Sequence, residues 1–176
     1  MELIDVLTSD GVRTGRTKPK ADVHRDGDWH FASHVWLVAP DKRVLLQRRS
    51  THKENWPDRW DISVAGHVSA GESAVDCAIR EAHEELGLSL RAADLTHLDT
   101  LRWHAVLNEG AYIENEFHEV FIASREIDLA RLVLDPEEVA DVALVRPDEI
   151  ERYDVVPHDE EYALLRRYLN PGATGS

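Results

Sequence analysis

The sequence predicts an α/β protein in which a mixed β-sheet lies between helical layers, with a small hairpin at the start of the chain. Short β-prone runs alternate with a few helical patterns, an order typical of a mixed sheet covered by helices. Hydrophobic residues make up 43% of the 176 residues, which is enough to bury the core of one domain. We therefore expect a single domain over residues 1–176, with a hairpin and short helix (1–28), a core (29–169) and a flexible tail (170–176).

The first 28 residues predict a β-hairpin followed by a short helix. Residues 3–7 and 12–17 are short β-prone runs on either side of Ser9-Asp10-Gly11, a cluster of turn-forming residues. Pro19 suits the first turn of a helix, where its missing N–H would have no partner, and Gly27 then ends that helix.

The next segment predicts a second hairpin and a strand that leads into a glycine-rich loop. In order, we expect a strand (34–38), a turn at Pro40-Asp41-Lys42, a strand (43–47), an aromatic loop (56–61) and a short strand (62–65). That last strand delivers the chain to Gly66, where the loop begins.

A helix predicted from about Ser73 to Gly87 carries three glutamates on one side. Five apolar residues recur at helical spacing and form a stripe that faces a core: Val75, Ala78, Ile79, Ala82 and Leu86. Glu81, Glu84 and Glu85, here called the carboxylate ridge, fall in a separate arc with Cys77, which we expect to lie away from the buried side. Neighbouring carboxylates repel one another, and a divalent cation bound between them would replace this repulsion with attraction to the ion. The ridge indicates a metal site, with a solvated acidic face as the alternative.

The C-terminal half predicts three more strands and two helices. In order, we expect a strand (95–107), a turn (108–110), a strand (113–123), a strand (139–145), a short helix from Pro147 and a last helix (159–169). Strand alternation places Glu114, Glu116 and His118 on one face of the second of these strands. Two acids side by side on a strand face require an explanation.

The spacing around the carboxylate ridge resembles the Nudix box. The matching positions are Gly66, Glu72, Arg80-Glu81, Glu84-Glu85 and Gly87. The resemblance implies an α/β/α sandwich over roughly residues 29–169 that hydrolyses a nucleoside diphosphate linked to another moiety, with Mg²⁺ or Mn²⁺ as cofactor. It implies that Glu81, Glu84 and Glu85 are metal ligands, joined by the carbonyl of Gly66. Glu72 and Arg80 would brace the loop on the helix.

Other segments look like the branch of this superfamily that contains type 1 isopentenyl diphosphate isomerase. They are residues 30–36 (HFASHVW), 45–49 (LLQRR), 56–57 (WP), 63–67 (SVAGH) and 114–116 (ENE). In those isomerases a metal is held by three histidines and two glutamates, and the counterparts here are His24, His30, His67, Glu114 and Glu116. The resemblance therefore implies a possible second metal. The isomerase's catalytic cysteine immediately precedes the Gly-His pair, where this chain has Ala65.

Loss of that cysteine and an intact box both favour hydrolysis over isomerisation. An isomerase-like enzyme stays as one alternative, and a non-catalytic nucleotide-binding regulator as another, although such modules tend to have lost box glutamates. For the hydrolase, the candidates for the general base are Glu84, Glu85, Glu116 and Glu138. Trp56, Trp60 and Trp103 are candidates for stacking or for ordinary packing.

Composition restricts the partners. The formal net charge of −14 argues against a nucleic-acid surface, which needs clustered basic residues, and leaves a small-molecule diphosphate as the expected partner. Arg48 and Arg49, followed by His52 and Lys53, form the densest positive patch, which we interpret as a phosphate contact or a solvated loop. One cysteine, no long apolar run and no signal-peptide pattern predict a cytoplasmic protein without a membrane contact. A homodimer is a possible assembly.

Overall fold

The computed structural model describes residues 1–172, and within that range the chain forms nine strands and three α-helices. The strands are β1 (Leu3–Leu7), β2 (Arg13–Pro19), β3 (His30–Val38), β4 (Val44–Arg49), β5 (Trp60–Asp61), β6 (Val64–His67), β7 (Thr96–Leu107), β8 (Tyr112–Ser124) and β9 (Val139–Val145). The helices are α1 (Lys20–Asp26), α2 (Ala74–Leu86) and α3 (Asp159–Leu169). Residues 173–176, which belong to the predicted tail, lie outside the described residues.

Strand β3 is the centre of a seven-stranded mixed sheet in this part of the chain. It pairs in parallel with β8 from His30 opposite Glu116 to Val38 opposite Ser124, and antiparallel with β6 on its other side. Strand β7 continues the sheet beyond β8, while β4 carries β5 and β9. Strands β1 and β2 form a separate antiparallel hairpin. The predicted fold class, a mixed sheet with a small N-terminal hairpin, is confirmed.

The two faces of the sheet bury two separate apolar clusters. Because side chains alternate along a strand, Trp36 of β3 packs towards Tyr162 of α3, whereas Val35 packs towards Ala82 of α2. The same alternation along β8 places Glu116 on the α3 side of the sheet, with the core residues Val120 and Ile122 that follow it. The polar positions of β3 and β8 on that face therefore lie beyond the end of an apolar core.

The segment before Gly66 differs from the prediction. Residues 60–61, expected in a loop, form β5 against β4, and the following strand runs from Val64 to His67 instead of over residues 62–65. The ladder is interrupted at Ser63, because its hydroxyl donates to the carbonyl of Leu45 (2.6 Å) and takes the place of a backbone partner.

The described helices are short. None of the helices within residues 1–172 has the length and apolar character that crossing a membrane requires.

Candidate active site

One large cavity, of about 750 Å³, is lined by residues of α2, β6, β8 and the loops after β4 and before β9. Eleven carboxylate side chains and four lysine or arginine side chains line it. A wall with this excess of negative charge repels an anionic ligand unless cations bind among the carboxylates.

Helix α2 is positioned against this cavity by its two ends and by a glycine. The Ser73 hydroxyl accepts from the backbone N–H of Asp76 (3.0 Å), and Gly87 ends the helix in the left-handed conformation. At Gly66, a Cβ would lie 2.2 Å from Cδ of Glu81. Only glycine therefore lets β6 and the Glu81 carboxylate approach this closely.

The carboxylate ridge is less exposed than its position on the helical wheel indicated. The Glu84 side chain is 55% exposed, but that of Glu81 is 14% exposed and Glu85 as a residue 5%. Cys77, placed with them in the sequence prediction, is fully buried, and its thiol lies 3.6 Å from the Gly66 carbonyl. The expectation that this arc lies away from the buried side is wrong for Cys77 and Glu85, because β6 and β4 pack over these two residues. Gln47 of β4 donates a hydrogen bond to the Glu85 carboxylate (3.1 Å).

Burial makes the ridge electrostatically unfavourable in the absence of a cation. Burial, together with the charges of Glu81 and Glu138, raises the pKa of Glu85 well above its ordinary value. Burial also raises the pKa of Glu81, although Arg80 opposes the shift. Carboxylates in this state gain most from a divalent cation, because it replaces both the lost water and the missing positive charge.

Arg80 links the ridge to the loop that precedes the helix. Its Nε and Nη2 donate to the two carboxylate oxygens of Glu72 (2.8 and 3.0 Å), and its Nη1 donates to Glu81 (2.6 Å) and Glu84 (3.2 Å). Glu72 also accepts from the backbone N–H of Ser69 (3.0 Å). This network holds the loop, the helix and the ridge in one arrangement.

A second group of ligand-type side chains meets on the α3 side of the sheet. Four ligand atoms, one each from His24, His30, His67 and Glu116, all lie within 4.8 Å of one another; these residues are called the histidine cluster below. Glu114, the fifth residue of the sequence prediction, lies outside this group, and its Oε2 accepts from the indole N–H of Trp103 (2.8 Å).

The hydrogen bonds around the histidine cluster fix the ring tautomers. The Nδ1 atoms of His24 and His30 lie 3.1 and 3.0 Å from the carbonyls of Ile113 and Asp28, so each Nδ1 carries the proton and Nε2 keeps its lone pair. The Nε2 atom of His30 is buried, lies 3.3 Å from Glu116 Oε1, and is among the few buried polar atoms in residues 1–172 without a hydrogen-bond partner. A lone pair facing a carboxylate oxygen at this distance is the arrangement that a cation between them stabilises.

The protonation states of the histidine cluster also suit a metal. Burial lowers the pKa of His24 to about 4 and that of His67 to about 3, so both rings are neutral at pH 7. Burial of Glu116 opposes its ionisation, but hydrogen bonds from His118 and His67 and the nearby His30 ring hold its pKa well below the ordinary value. Burial opposes protonation of His30, but Glu116 raises its pKa, so a metal ion there would replace a proton. Imidazoles with one anionic oxygen form a ligand set typical of Zn²⁺ or Mn²⁺.

The predicted positive patch divides into two parts. Arg49, His52 and Lys53 line the cavity, and Lys53 pairs with Glu138, another cavity residue. Arg48 is not among the residues that line the cavity; its guanidinium lies 2.6 Å from Asp58. The phosphate contact is therefore retained for Arg49 and Lys53 and withdrawn for Arg48.

The three tryptophans differ in whether they line the cavity. Trp56 and Trp103 line the cavity, whereas Trp60 packs on the ring of Tyr153 (5.2 Å) beside the apolar core. Two further residues of the cavity wall, Asp61 and His158, were missed in the sequence. Neither belongs to a motif, and they come from β5 and the start of α3, so only the tertiary structure brings them together.

The fold and the cavity together define the class of protein, an α/β/α enzyme with a glutamate-bearing helix along its active-site wall. The NUDIX domain family model matches residues 28–165, and the chain belongs to that family. The resemblance found at residues 66–87 and the expectation of a Nudix hydrolase are thereby confirmed.

Relatives and solved structures agree with this assignment. Nudix hydrolase 3 of Arabidopsis thaliana is 42% identical over 155 residues, which are 86% of this chain but only 20% of that protein. The isopentenyl-diphosphate Delta-isomerase of Clavibacter sepedonicus is 35% identical over 152 residues, which are 85% of this chain and 76% of that protein. The crystal structure of DR0079 from Deinococcus radiodurans superposes with a TM-score of 0.72 at 20% identity, covering 94% of this chain and 98% of that one.

Proposed function

We propose that this protein is a divalent-metal-dependent hydrolase that cleaves the diphosphate linkage of a nucleoside diphosphate derivative or a related organic diphosphate. The observation that carries the proposal is the partly buried carboxylate ridge in the wall of a 750 Å³ cavity. Carboxylates kept at this density on one helix are unfavourable by themselves, and an anionic substrate would make them more so. Cations held by the ridge would offset both the repulsion among the carboxylates and their repulsion of the substrate.

Glu81, Glu84 and Glu85 would hold Mg²⁺ or Mn²⁺, and the Gly66 carbonyl is close enough to the helix to join them. When bound, such an ion neutralises charge on the diphosphate and lowers the pKa of a bound water. Arg80 donates to both Glu81 and Glu84, and the side chain of Glu81 lies directly against Gly66, so these three residues are already neighbours.

The other roles belong to basic side chains that line the cavity and to one glutamate of the ridge. Lys53 and Arg49 supply positive charge next to the substrate phosphates, which stabilises charge that develops on them during hydrolysis. We assign Glu84 as the group that receives a proton from the attacking water, because it is the ridge carboxylate most exposed to the cavity solvent. Glu116 is unsuited to that role, since His30, His67 and His118 surround its oxygens.

The test is hydrolysis of a diphosphate panel by the wild type and by Glu84→Gln. The panel contains ADP-ribose, UDP-glucose, a nucleoside triphosphate and isopentenyl diphosphate, each with Mg²⁺ or Mn²⁺, and the release of phosphate or monophosphate is measured. We expect the wild type to hydrolyse at least one member and Glu84→Gln to lower kcat about 100-fold, the effect of removing a positioned acid–base group. Glu84 is exposed, so the variant should fold normally.

Glu160→Gln is the matched control, because Glu160 is exposed on α3 and lies outside the cavity. It should leave kcat unchanged. Equal turnover by the wild type and Glu84→Gln would contradict the role of the ridge. Tight nucleotide binding by the wild type without any turnover would instead favour the non-catalytic regulator.

We also propose that the histidine cluster binds a second metal ion, Zn²⁺ or Mn²⁺. The support is the convergence of its four ligand atoms and the unpaired Nε2 of His30. In equilibrium dialysis followed by elemental analysis, we expect His24→Phe to lose one metal equivalent that the wild type retains. Phenylalanine keeps the stacking of residue 24 on Tyr112 (4.0 Å) but has no ligand atom.

His104→Phe is the control for this measurement, because His104 is exposed and does not line the cavity. Glu84→Gln should keep the metal of the histidine cluster, which separates it from a metal on the ridge. Identical metal content in the wild type and His24→Phe would remove this site from the proposal.

An isomerase is the second candidate function, because relatives of that name share 33–35% identity with this chain and the histidine cluster matches the resemblance to them. Ala65 argues against it, since Ala65 lines the cavity and its methyl group cannot transfer a proton. Rearrangement of isopentenyl diphosphate in the panel, without phosphate release, would favour this candidate.

A further inference from the structure

The two carboxylate oxygens of Glu116 have different surroundings. Oε1 lies 3.3 Å from Nε2 of His30 and 3.2 Å from Nε2 of His67, so it belongs to the histidine cluster. Oε2 lies 2.8 Å from Nε2 of His118, a residue outside that cluster. Because an ionised carboxylate offers only acceptors, His118 donates this hydrogen bond. One oxygen of Glu116 therefore faces the proposed metal, while the other is occupied by a donor of the protein itself.

The sheet places His118 for this contact. His118 lies two residues after Glu116 on β8, so strand alternation puts both side chains on the α3 face. Its buried ring packs against that of His34 on β3, with 3.9 Å between centroids, and lies nearly parallel to the ring of Trp103 on β7, at 5.8 Å. Because β3 and β7 flank β8, the two rings restrict His118 from both sides.

Helix α3 fixes the ring of His34 in turn. Glu161 of α3 is buried and accepts from Nδ1 of His34 (2.8 Å) and from the indole N–H of Trp36 (3.0 Å), so each of its oxygens has a donor. Its Oε2 lies 3.8 Å from Nδ1 of His118, which is beyond hydrogen-bond distance. The hydrogen bond that orients His118 is therefore the one to Glu116, and packing supplies the remaining restraint.

The other carboxylate on this face of β8 is engaged elsewhere. Oε2 of Glu114 accepts from the indole N–H of Trp103, and Glu114 is not among the residues whose ligand atoms converge. The histidine cluster thus presents three imidazole nitrogens and one carboxylate oxygen. Such a set suits Zn²⁺, which takes four ligands and binds imidazole well, whereas Mn²⁺ favours sites with more oxygen ligands.

We propose that His118 withholds Oε2 of Glu116 from the metal of the histidine cluster and so makes this site selective for Zn²⁺ over Mn²⁺. The inference rests on the proposed second metal and names the residue that determines which ion binds. His118 acts through Glu116, so it is a positioning residue. With His118 in place, Glu116 offers an ion Oε1 alone. Without it, both oxygens are free for one ion, and the added oxygen ligand favours Mn²⁺.

The experiment measures Zn²⁺ and Mn²⁺ dissociation constants, by calorimetry with a competing chelator, for the wild type and His118 variants. His118→Phe keeps a ring between His34 and Trp103 but has no donor, and the smaller His118→Leu also has none. We expect the ratio of the Mn²⁺ to the Zn²⁺ dissociation constant to fall about 10–100-fold in both, the range typical for loss of a group that orients a metal ligand. His118→Gln carries an amide N–H near the position of Nε2 and should recover most of the ratio.

A spectrum of bound Co²⁺ separates a change of ligands from a loss of packing. Four-coordinate Co²⁺ absorbs visible light far more strongly than six-coordinate Co²⁺, so the absorption reports the number of ligands. We expect strong absorption in the wild type and His118→Gln, and weak absorption in His118→Phe. Ions that His24→Phe also binds belong to the ridge and are subtracted. The His104→Phe protein should match the wild type in every measurement.

Three results would overturn the inference. The first is an unchanged metal ratio and Co²⁺ spectrum in both His118→Phe and His118→Leu. The second is a further metal equivalent that His24→Phe keeps and Glu161→Gln loses. It would make His34, His118 and Glu161 ligands themselves, since their ligand atoms also lie within 4.8 Å of one another. The third is equal metal binding by the wild type and His24→Phe, which would remove the second metal and the role of His118 with it. None of them affects the hydrolase proposal, which Glu84→Gln tests by turnover.

Discussion

Replacing Gly66 with alanine should lower kcat about 1,000-fold while the protein stays folded. The new Cβ would lie 2.2 Å from Cδ and Oε1 of Glu81, a separation that real atoms do not adopt. Because Cγ of Glu81 would also lie 2.3 Å from the new Cβ, the whole side chain would rotate away from Gly66, leaving the ridge and breaking its contact with Arg80. Loss of one metal ligand and of the local geometry is worth several kcal/mol of transition-state stabilisation, or about three powers of ten.

The double variant Gly66→Ala/Glu81→Ala tests whether overlap with the Glu81 side chain is the effect of the alanine. Removing the Glu81 carboxylate relieves the overlap, so the melting temperature should return towards that of Glu81→Ala alone, while kcat stays low. Contacting residues are expected to be non-additive in this way. Gly172→Ala is the control, since a Cβ at Gly172 would meet no atom within 4 Å. Normal activity in Gly66→Ala would show that the close approach has no role in catalysis.

The parts of the site that depend on local geometry could be predicted from the sequence. Helix α2 runs from Ala74 to Leu86, close to the expected bounds, because its apolar stripe, its Ser73 cap and its Gly87 stop are all local signals. The face of β8 that carries Glu114, Glu116 and His118 follows from strand alternation alone.

The parts that depend on contacts between distant segments could not be predicted. A helical wheel places Glu85 in the arc beside the apolar stripe, but it does not show that β4 covers this residue; that burial requires the pairing of β4 with β9 and the approach of Gln47. The contact between Asp61 and His158 joins a two-residue strand to the start of the last helix, and neither residue has a partner nearby in the sequence. Burial and pKa shifts are properties of the assembled core, so the sequence contains no local signal for them.

Glu85→Gln should stabilise the metal-free protein and at the same time inactivate it. The folded-state pKa of Glu85 is raised well above 4.5, so the folded protein binds this proton more tightly than the unfolded chain does. Stability from this group is therefore fully present below about pH 4.5 and is lost as the pH rises through the raised folded-state value. Glutamine cannot ionise and keeps an oxygen for Gln47, which removes that loss.

The expected gain at pH 8 is on the order of 1–3 kcal/mol in the free energy of unfolding, the usual cost of a buried polar group that lacks its full set of partners. It is measured by urea denaturation in EDTA at pH 5 and pH 8, with a larger gain at pH 8. Adding Mn²⁺ should then stabilise the wild type more than Glu85→Gln, because only the wild type has the complete ridge. The kcat of the variant should fall about 1,000-fold, as for the loss of a metal ligand.

Glu160→Gln again provides the comparison, because its carboxylate is exposed and should change neither the pH dependence nor the response to Mn²⁺. A Glu85→Gln protein that is less stable than the wild type at pH 8 in EDTA would mean that the buried carboxylate is not strained there. Combined with an unchanged response to Mn²⁺, that result would place the metal elsewhere in the cavity. The opposite outcome, a more stable protein that no longer responds to the ion, would show that the chain keeps Glu85 for its chemistry at the expense of stability.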